Sequence, residues 1–250
     1  MRVEILGCSG SVMKGFNTTS IMVNGSLLID AGSAATIMED KDVLNIKDIL
    51  LTHSHIDHIK DLPFILESIL SSNNGSVCIW ASQRTIDTLE EHVFNGLIWP
   101  DAQELTGEQG HRLNFKAIGN VVQDIQGLHV QAIEANHIPG ALSFIVEENG
   151  KSVFFSGDTM FNKGVVEHLE SIGNGLKACF IETSFPDRMK DLARRSRHLT
   201  PSMAWEWIGA EVHGNALVVA YHIKPRYLDE VIADLPNGME YITGGEVFEF

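Results

Sequence analysis

Apolar and polar positions alternate from the first residues: Val3 and Ile5 interleave with Arg2 and Glu4, the period of a half-buried β-strand. Segments of similar length recur along the chain. Val3–Leu6, Ser20–Val23, Leu27–Asp30, Ile49–Thr52 and Val77–Trp80 are the predicted strands of the first half. Val130–Ile133, Ser143–Glu147, Ser152–Ser156, Cys179–Glu182 and Leu217–Tyr221 are their counterparts in the second. Leu62–Leu70, Arg84–Phe94, Gly164–Ser171 and Ser202–Val212 carry apolar residues at helical spacing, and Ser82 stands where the second of these helices needs an N-cap. Gly and Pro punctuate the elements throughout instead of gathering at one boundary, and no repeat or low-complexity tract intervenes. The expectation is one α/β domain over residues 1–250, built in layers.

Composition narrows this picture without changing it. A chain of 250 residues with 44% hydrophobic and 20% charged positions can bury one sizeable core. No apolar run approaches the roughly 18 residues of a membrane span. The opening segment lacks the apolar stretch and cleavage site of a secretory signal, so cytoplasmic residence is the expectation. Cys8, Cys78 and Cys179 are far apart and form no Cys-x-x-Cys pair, which points to reduced core residues and away from disulfides or a thiolate zinc site. With 33 acidic residues against 18 Lys and Arg, the formal charge of −15 opposes a broad basic surface for long nucleic acids. A small anion steered by a local basic cluster stays open.

The strongest chemical signal directly follows a predicted strand, in Thr52-His53-Ser54-His55-Ile56-Asp57-His58. His53 and His55, alternate residues leaving an extended segment, can face one cation, while Asp57 and His58, at the turn into a helix, can face a neighbouring one. Imidazole with carboxylate suits zinc, and manganese or iron also take such ligands. The isolated His92, His111, His129, His168 and His213 read as surface or core residues. Further ligand candidates stand at strand ends: His137 after Val130–Ile133, Asp158 after Ser152–Ser156 and His222 after Leu217–Tyr221. Taken singly, each is also an ordinary turn or strand terminus.

The joint order, from Leu28-Ile29-Asp30-Ala31-Gly32 through the histidine cluster to His137, Asp158 and His222, resembles the metallo-β-lactamase superfamily across essentially the whole chain. The resemblance implies a four-layer αβ/βα sandwich with two divalent metal ions at one edge of its sheets. It implies that His53, His55 and His137 hold one metal, that Asp57, His58 and His222 hold the other, and that Asp158 bridges them. Asp30 would orient the metal loop through hydrogen bonds. Three further segments, His92–Asp101, Phe180–Pro186 and His198–Pro201, look like the class II cyclic-nucleotide phosphodiesterases. The tRNA 3′-processing endonucleases share the ligand set and a histidine at the position of His198, but the long Gly/Lys/Arg-rich arm of that family is missing.

What the resemblance implies is a phosphodiesterase that hydrolyses 3′,5′-cyclic nucleotides, cAMP or cGMP, to 5′-monophosphates with a hydroxide held between two metals. Asp57 and Asp158 would orient that hydroxide, and His198 would protonate the leaving oxygen. His198 also reads as a loop residue capping the following helix. The alternatives are an RNA 3′-processing nuclease, a lactone or thioester hydrolase, and a nucleotide-binding module without chemistry. A homodimer is an expectation carried by the resemblance alone. The run Arg188, Lys190, Arg194, Arg195 and Arg197 reads either as a phosphate approach or as a solvated helix face, and Lys224 and Arg226 share that ambiguity. Phe94, Trp99, Phe185, Trp205 and Trp207 are candidates for base contact or for core packing.

Overall fold

The computed structural model describes residues 1–72, 75–105, 112–209, 212 and 216–250. His111, His213 and positions 210 and 211 of the predicted Ser202–Val212 helix lie outside the described residues. Strands β1 (Arg2–Gly7), β2 (Ser20–Val23), β3 (Leu27–Ile29), β4 (Asp48–Leu50), β5 (Val77–Ala81) and β6 (Leu113–Ala117) form one sheet with β14 (Val247–Glu249), in the order β14-β1-β2-β3-β4-β5-β6. The second sheet runs β13-β12-β11-β10-β9-β8-β7. Its strands are β7 (Gln123–Ile125), β8 (Leu128–Glu134), β9 (Leu142–Glu148), β10 (Lys151–Phe155), β11 (Leu176–Glu182), β12 (Leu217–Tyr221) and β13 (Met239–Tyr241).

The period-two pattern sorts residues between the two faces of each sheet. In β3, Leu27 and Ile29 enter the core between the sheets while Leu28 joins the outer helical layer. Along β10–β12, Val153, Phe155, Ala178, Phe180, Val219 and Tyr221 point inward, and Phe154, Cys179, Ile181, Val218 and Ala220 point to the helices on the other side. Helix Leu62–Ser71 turns Leu62, Ile65, Leu66 and Ile69 onto the first sheet, the spacing that places one helical face on a sheet. Helix Lys163–Ile172 does the same for the second sheet with Val165 and Leu169. The result is the four-layer αβ/βα sandwich. Tight turns at Gln126-Gly127 and Asn149-Gly150, all four residues at positive φ, connect β7 to β8 and β9 to β10.

All ten predicted strands are present, with ends displaced by up to three residues. The strands not predicted, β6, β7, β13 and β14, are the four sheet edges. The predicted Ser202–Val212 helix starts at Pro201 and changes after Ala204 to a π-helical turn over Trp205–Gly209. Cys8 and Cys179 are buried and Cys78 half-buried, all free thiols. Burial pushes all three thiols up, Cys78 to about 11. Among the described residues no helix is long and apolar enough to cross a membrane.

Pairing directions set the location of the site. β3 and β4 are parallel, as are β10, β11 and β12; β8 is antiparallel to β9, which is antiparallel to β10, so β8 runs with β10. The carboxyl ends of β8, β10, β11 and β12 therefore share one edge of the second sheet.

Candidate metal centre

His53 and His55 follow β4, Asp57 and His58 lie on the short helix Ile56–Ile59 beyond them, and His137, Asp158 and His222 follow β8, β10 and β12; the structure brings all seven together. The ligand atoms of His53, His55, His137 and Asp158 lie within 4.8 Å of one another, as do those of Asp57, His58 and His222. Asp158 straddles the two groups. Its Oδ2 faces His53 Nε2 at 3.7 Å and His137 Nε2 at 3.8 Å, while Oδ1 faces His222 Nε2 at 3.2 Å and His58 Nε2 at 3.4 Å. Asp57 Oδ2 lies 3.3 Å from His222 Nε2. His55 and Asp57 are the more exposed members, which opens the site to solvent on the side of the metal loop.

Four of the histidines are pinned through Nδ1, leaving Nε2 for the centre. His58 Nδ1 lies 2.6 Å from Asp30 Oδ2, and His53 Nδ1 lies 3.0 Å from the Thr52 hydroxyl. His137 Nδ1 donates to the Arg197 carbonyl at 3.0 Å, and His222 Nδ1 lies 3.1 Å from Ser184 Oγ. Such partners fix the ring tautomer and orientation that a metal ligand requires. Asp30 also accepts from the Thr52 N–H and hydroxyl, both at 2.8 Å, so one buried carboxylate ties β3 to the metal loop.

The backbone is strained where it must aim these groups. Among the described non-glycine residues at positive φ, Asp30 (56°), Arg197 (56°) and His222 (58°) all border the centre, while Asn24, Gln126 and Asn149 sit in turns between adjacent strands.

The electrostatics suit cation ligands. Burial lowers the His53, His55 and His137 imidazoles below their ordinary range, so they stay neutral with a lone pair available. Burial also opposes charge on Asp158 and Asp57, but neighbouring His222 and His58 outweigh it and hold both carboxyls below the usual range. For His58 burial is outweighed by Asp158 and Asp30, which push it up. His53 Nε2 and Asp158 Oδ1 are buried and make no hydrogen bond. A cation is the partner that this donor set, four inward-facing imidazole nitrogens around a carboxylate, accommodates.

His198 sits beside this cluster, its ring 5.0 Å from His137 and 5.8 Å from His222. Its Nδ1 lies 2.8 Å from Glu182 Oε1. Burial acts against protonation, but the Glu182 charge and hydrogen bond outweigh it and raise the imidazole. The capping role falls elsewhere, since Asp187 Oδ1 accepts from Ser202 N–H at 3.1 Å. Glu182 and Ser184 are the contributors that sequence reasoning missed. Glu182 is fully buried, Ser184 Oγ lies 3.1 Å from its Oε2, and a polar Glu-Thr-Ser run ending an apolar strand was the available signal.

The basic run divides. Arg188 pairs with Glu230 and Arg194 with Asp191 on exposed surface, whereas the Arg197 guanidinium bonds the His137 carbonyl. Arg226 packs over Tyr227. Phe94 and Trp207 are core residues, Trp205 packs against the outer core of the second sheet, and Trp99 meets Phe64 edge to face; Phe185 reaches His198, with ring centroids 5.9 Å apart. His92 is exposed, His129 pairs with Glu147 and His168 with Gln131, all outside the cluster.

With the fold and site in view, the chain belongs to the beta-lactamase superfamily: the model of the beta-lactamase superfamily domain matches residues 26–223. It is similar to 3′,5′-cyclic-nucleotide phosphodiesterase 1 of Saccharomyces cerevisiae, at 41% identity over 34% of this chain and 23% of that protein. It is also similar to ribonuclease Z of Halobacterium salinarum, at 29% identity over 61% of this chain and 49% of that protein. The matched segments thus span less than half of these relatives. The structure of unliganded yeast PDE1 superposes at a TM-score of 0.78 with 19% identity, covering 100% of this chain and 99% of that one, a likeness of fold.

Proposed function

We propose that this protein is a two-metal phosphodiesterase that hydrolyses 3′,5′-cyclic nucleotides to 5′-monophosphates. The observation that carries the reading is Asp158, one oxygen turned to each ligand group, beside a histidine whose Nδ1 is held by a buried glutamate and lies 3.9 Å from Asp158 Oδ2. His53, His55 and His137 would hold one divalent cation, Asp57, His58 and His222 the other, with Asp158 shared; zinc fits these donors best. When bound, the cations supply positive charge at the phosphoryl oxygens and the means to activate water at neutral pH.

The protein's own residues provide the rest. Asp57, half-buried, is placed to orient the attacking water. As the water oxygen bonds to phosphorus and releases one proton to solvent, the bond from phosphorus to the 3′ oxygen breaks. His198 donates its proton to that leaving oxygen, and Glu182, on Nδ1, keeps the ring turned and favours its charged form. The likeness to the yeast phosphodiesterase supports cyclic nucleotides as the substrate class. The longer alignment to ribonuclease Z supports RNA ends as the second reading, which the charge of −15 opposes. Cytoplasmic residence and a homodimer belong to the same proposal.

The test uses zinc-loaded protein with cAMP, cGMP and bis(p-nitrophenyl) phosphate. An alkoxide leaves poorly and needs the proton, whereas p-nitrophenolate does not. His198→Ala is expected to lower kcat on the cyclic nucleotides by about 10²–10⁴-fold and on the artificial diester by less than about tenfold. Cleavage of a tRNA precursor in preference to both cyclic nucleotides would move the assignment to RNA.

A further inference from the structure

The candidate centre is rich in negative charge, and one cation beside it has no carboxylate of its own. Lys224 follows His222 by two residues, and its backbone N–H donates to the Ser184 carbonyl at 3.3 Å. Its ammonium donates to the Gly10 carbonyl at 3.0 Å and lies 5.4 Å from the centroid of the Phe185 ring. Among the described residues no carboxylate oxygen comes within ion-pair distance of it, in contrast to Arg188, Arg194 and Lys60, which pair with Glu230, Asp191 and Asp61.

Two features direct this charge toward the site. Gly10 is pressed against His222, where a Cβ would fall 2.4 Å from the His222 carbonyl and 2.9 Å from Nδ1, so only glycine lets the segment that holds the lysine pack this closely on His222. Phe185, under the ammonium, is also the ring in contact with His198. Lys224 and His198 therefore both contact one buried phenyl ring. A half-buried ammonium whose partners are a neutral carbonyl and a ring face keeps its attraction for an incoming anion.

We propose that Lys224, presented by the Gly10 carbonyl and the Phe185 ring, is an anion subsite that takes a non-bridging oxygen of a phosphodiester monoanion and selects charged phosphoryl substrates over neutral esters. This rests on the two-metal phosphodiesterase reading. Lys224 is a positioning and specificity residue; it neither holds metal nor transfers a proton.

The experiment compares zinc-loaded wild type, Lys224→Met and Lys224→Arg on bis(p-nitrophenyl) phosphate, a monoanion, and p-nitrophenyl acetate, a neutral ester, with zinc content measured for each. Lys224→Met is expected to lower kcat/KM for the diester by about 10–100-fold, chiefly through KM, and Lys224→Arg to recover most of it. Zinc content and kcat/KM for the acetate should stay within about twofold. Equal losses on both esters, or loss of zinc, would mean that Lys224 only braces the His222 loop and would overturn the proposal, as would an unchanged diester rate. If the wild type cleaves no diester, the phosphodiesterase reading fails. Titration calorimetry with inorganic phosphate then decides the subsite separately: binding about tenfold weaker in Lys224→Met supports it, and equal binding overturns it.

Discussion

Replacing Asp30 with asparagine isolates the part played by a residue that touches no substrate. Asp30 accepts three hydrogen bonds, from Thr52 N–H and O–H at 2.8 Å and from His58 Nδ1 at 2.6 Å, in a fully buried setting. Asparagine tolerates the left-handed backbone at φ 56° and preserves the volume, so the main-chain geometry is not disturbed. Its carbonyl keeps Thr52 N–H, but its NH2 group then faces the His58 Nδ1–H, donor against donor. His58 escapes by moving its proton to Nε2, the atom turned toward Asp158 and His222. That blocks the lone pair needed for a cation at the Asp57, His58 and His222 group and leaves the His53, His55 and His137 group intact. One zinc equivalent should weaken by about 10–100-fold, and the metal-free fold should lose about 1–3 kcal/mol. Competition with a chromophoric chelator counts the equivalents, and urea denaturation of chelated protein reads the stability. Wild-type affinity for both equivalents, or equal weakening of both, would refute the tautomer argument.

Two further predictions concern the scaffold. Phe180 is fully buried between the sheets, stacked on Phe155 with centroids 5.2 Å apart and 9° between planes, so Phe180→Ala should cost about 3–5 kcal/mol in urea denaturation. Asp187 caps Ser202 through its N–H at 3.1 Å and its hydroxyl at 2.7 Å, and Asp187→Ala should cost about 1 kcal/mol near neutral pH. Burial acts upward on the Asp187 carboxyl, but its hydrogen bonds to Thr200 and Ser202 outweigh it and hold the group below its ordinary range. The unfolded chain then binds the proton more readily, so this stability is present above the unfolded value near about 3.9 and is lost as pH falls through the folded one. The difference in urea midpoint between wild type and Asp187→Ala should shrink as pH is lowered through the acid range.

The central strands were readable from the chain because both of their faces are covered. Cys179-Phe180-Ile181 divides its side chains between the inner core and the helical layer, and such a run is continuously apolar. The four unread strands are edges, paired on one side only, and Gln123–Ile125, Met239–Tyr241 and Val247–Glu249 are three residues long with one or two apolar positions each. A period cannot be recognised over three residues. For the site, His53 to His58 announces itself because its members are adjacent in sequence, and His137, Asp158 and His222 become visible as strand-end residues. Glu182, Ser184 and the Arg197 carbonyl do not. They act on His198, His222 and His137 across 16, 38 and 60 positions of chain, contacts that only the juxtaposition of strand ends creates.

Arg197 shows how the backbone and the side chain of one residue can be asked separate questions. It ends helix Lys190–Ser196 in the left-handed region, φ 56° and ψ 49°, where glycine is the usual occupant and a larger residue costs about 1 kcal/mol. Its carbonyl accepts the His137 Nδ1–H, and its guanidinium bonds the His137 carbonyl in return. Arg197→Gly relieves the backbone and keeps the carbonyl, but it removes a charge-assisted hydrogen bond worth about 1.5–3 kcal/mol when well buried and less at this exposed position. The two effects oppose each other and are of similar size. Chelated Arg197→Gly should therefore stay within about 1 kcal/mol of wild type in urea, and its zinc affinity should stay at the wild-type value because the tautomer of His137 is still fixed by the main chain. A loss of more than about 2 kcal/mol would show that the guanidinium contact outweighs the strain it accompanies. A loss of zinc affinity would show that the side chain, and not the carbonyl, aims His137 at the centre.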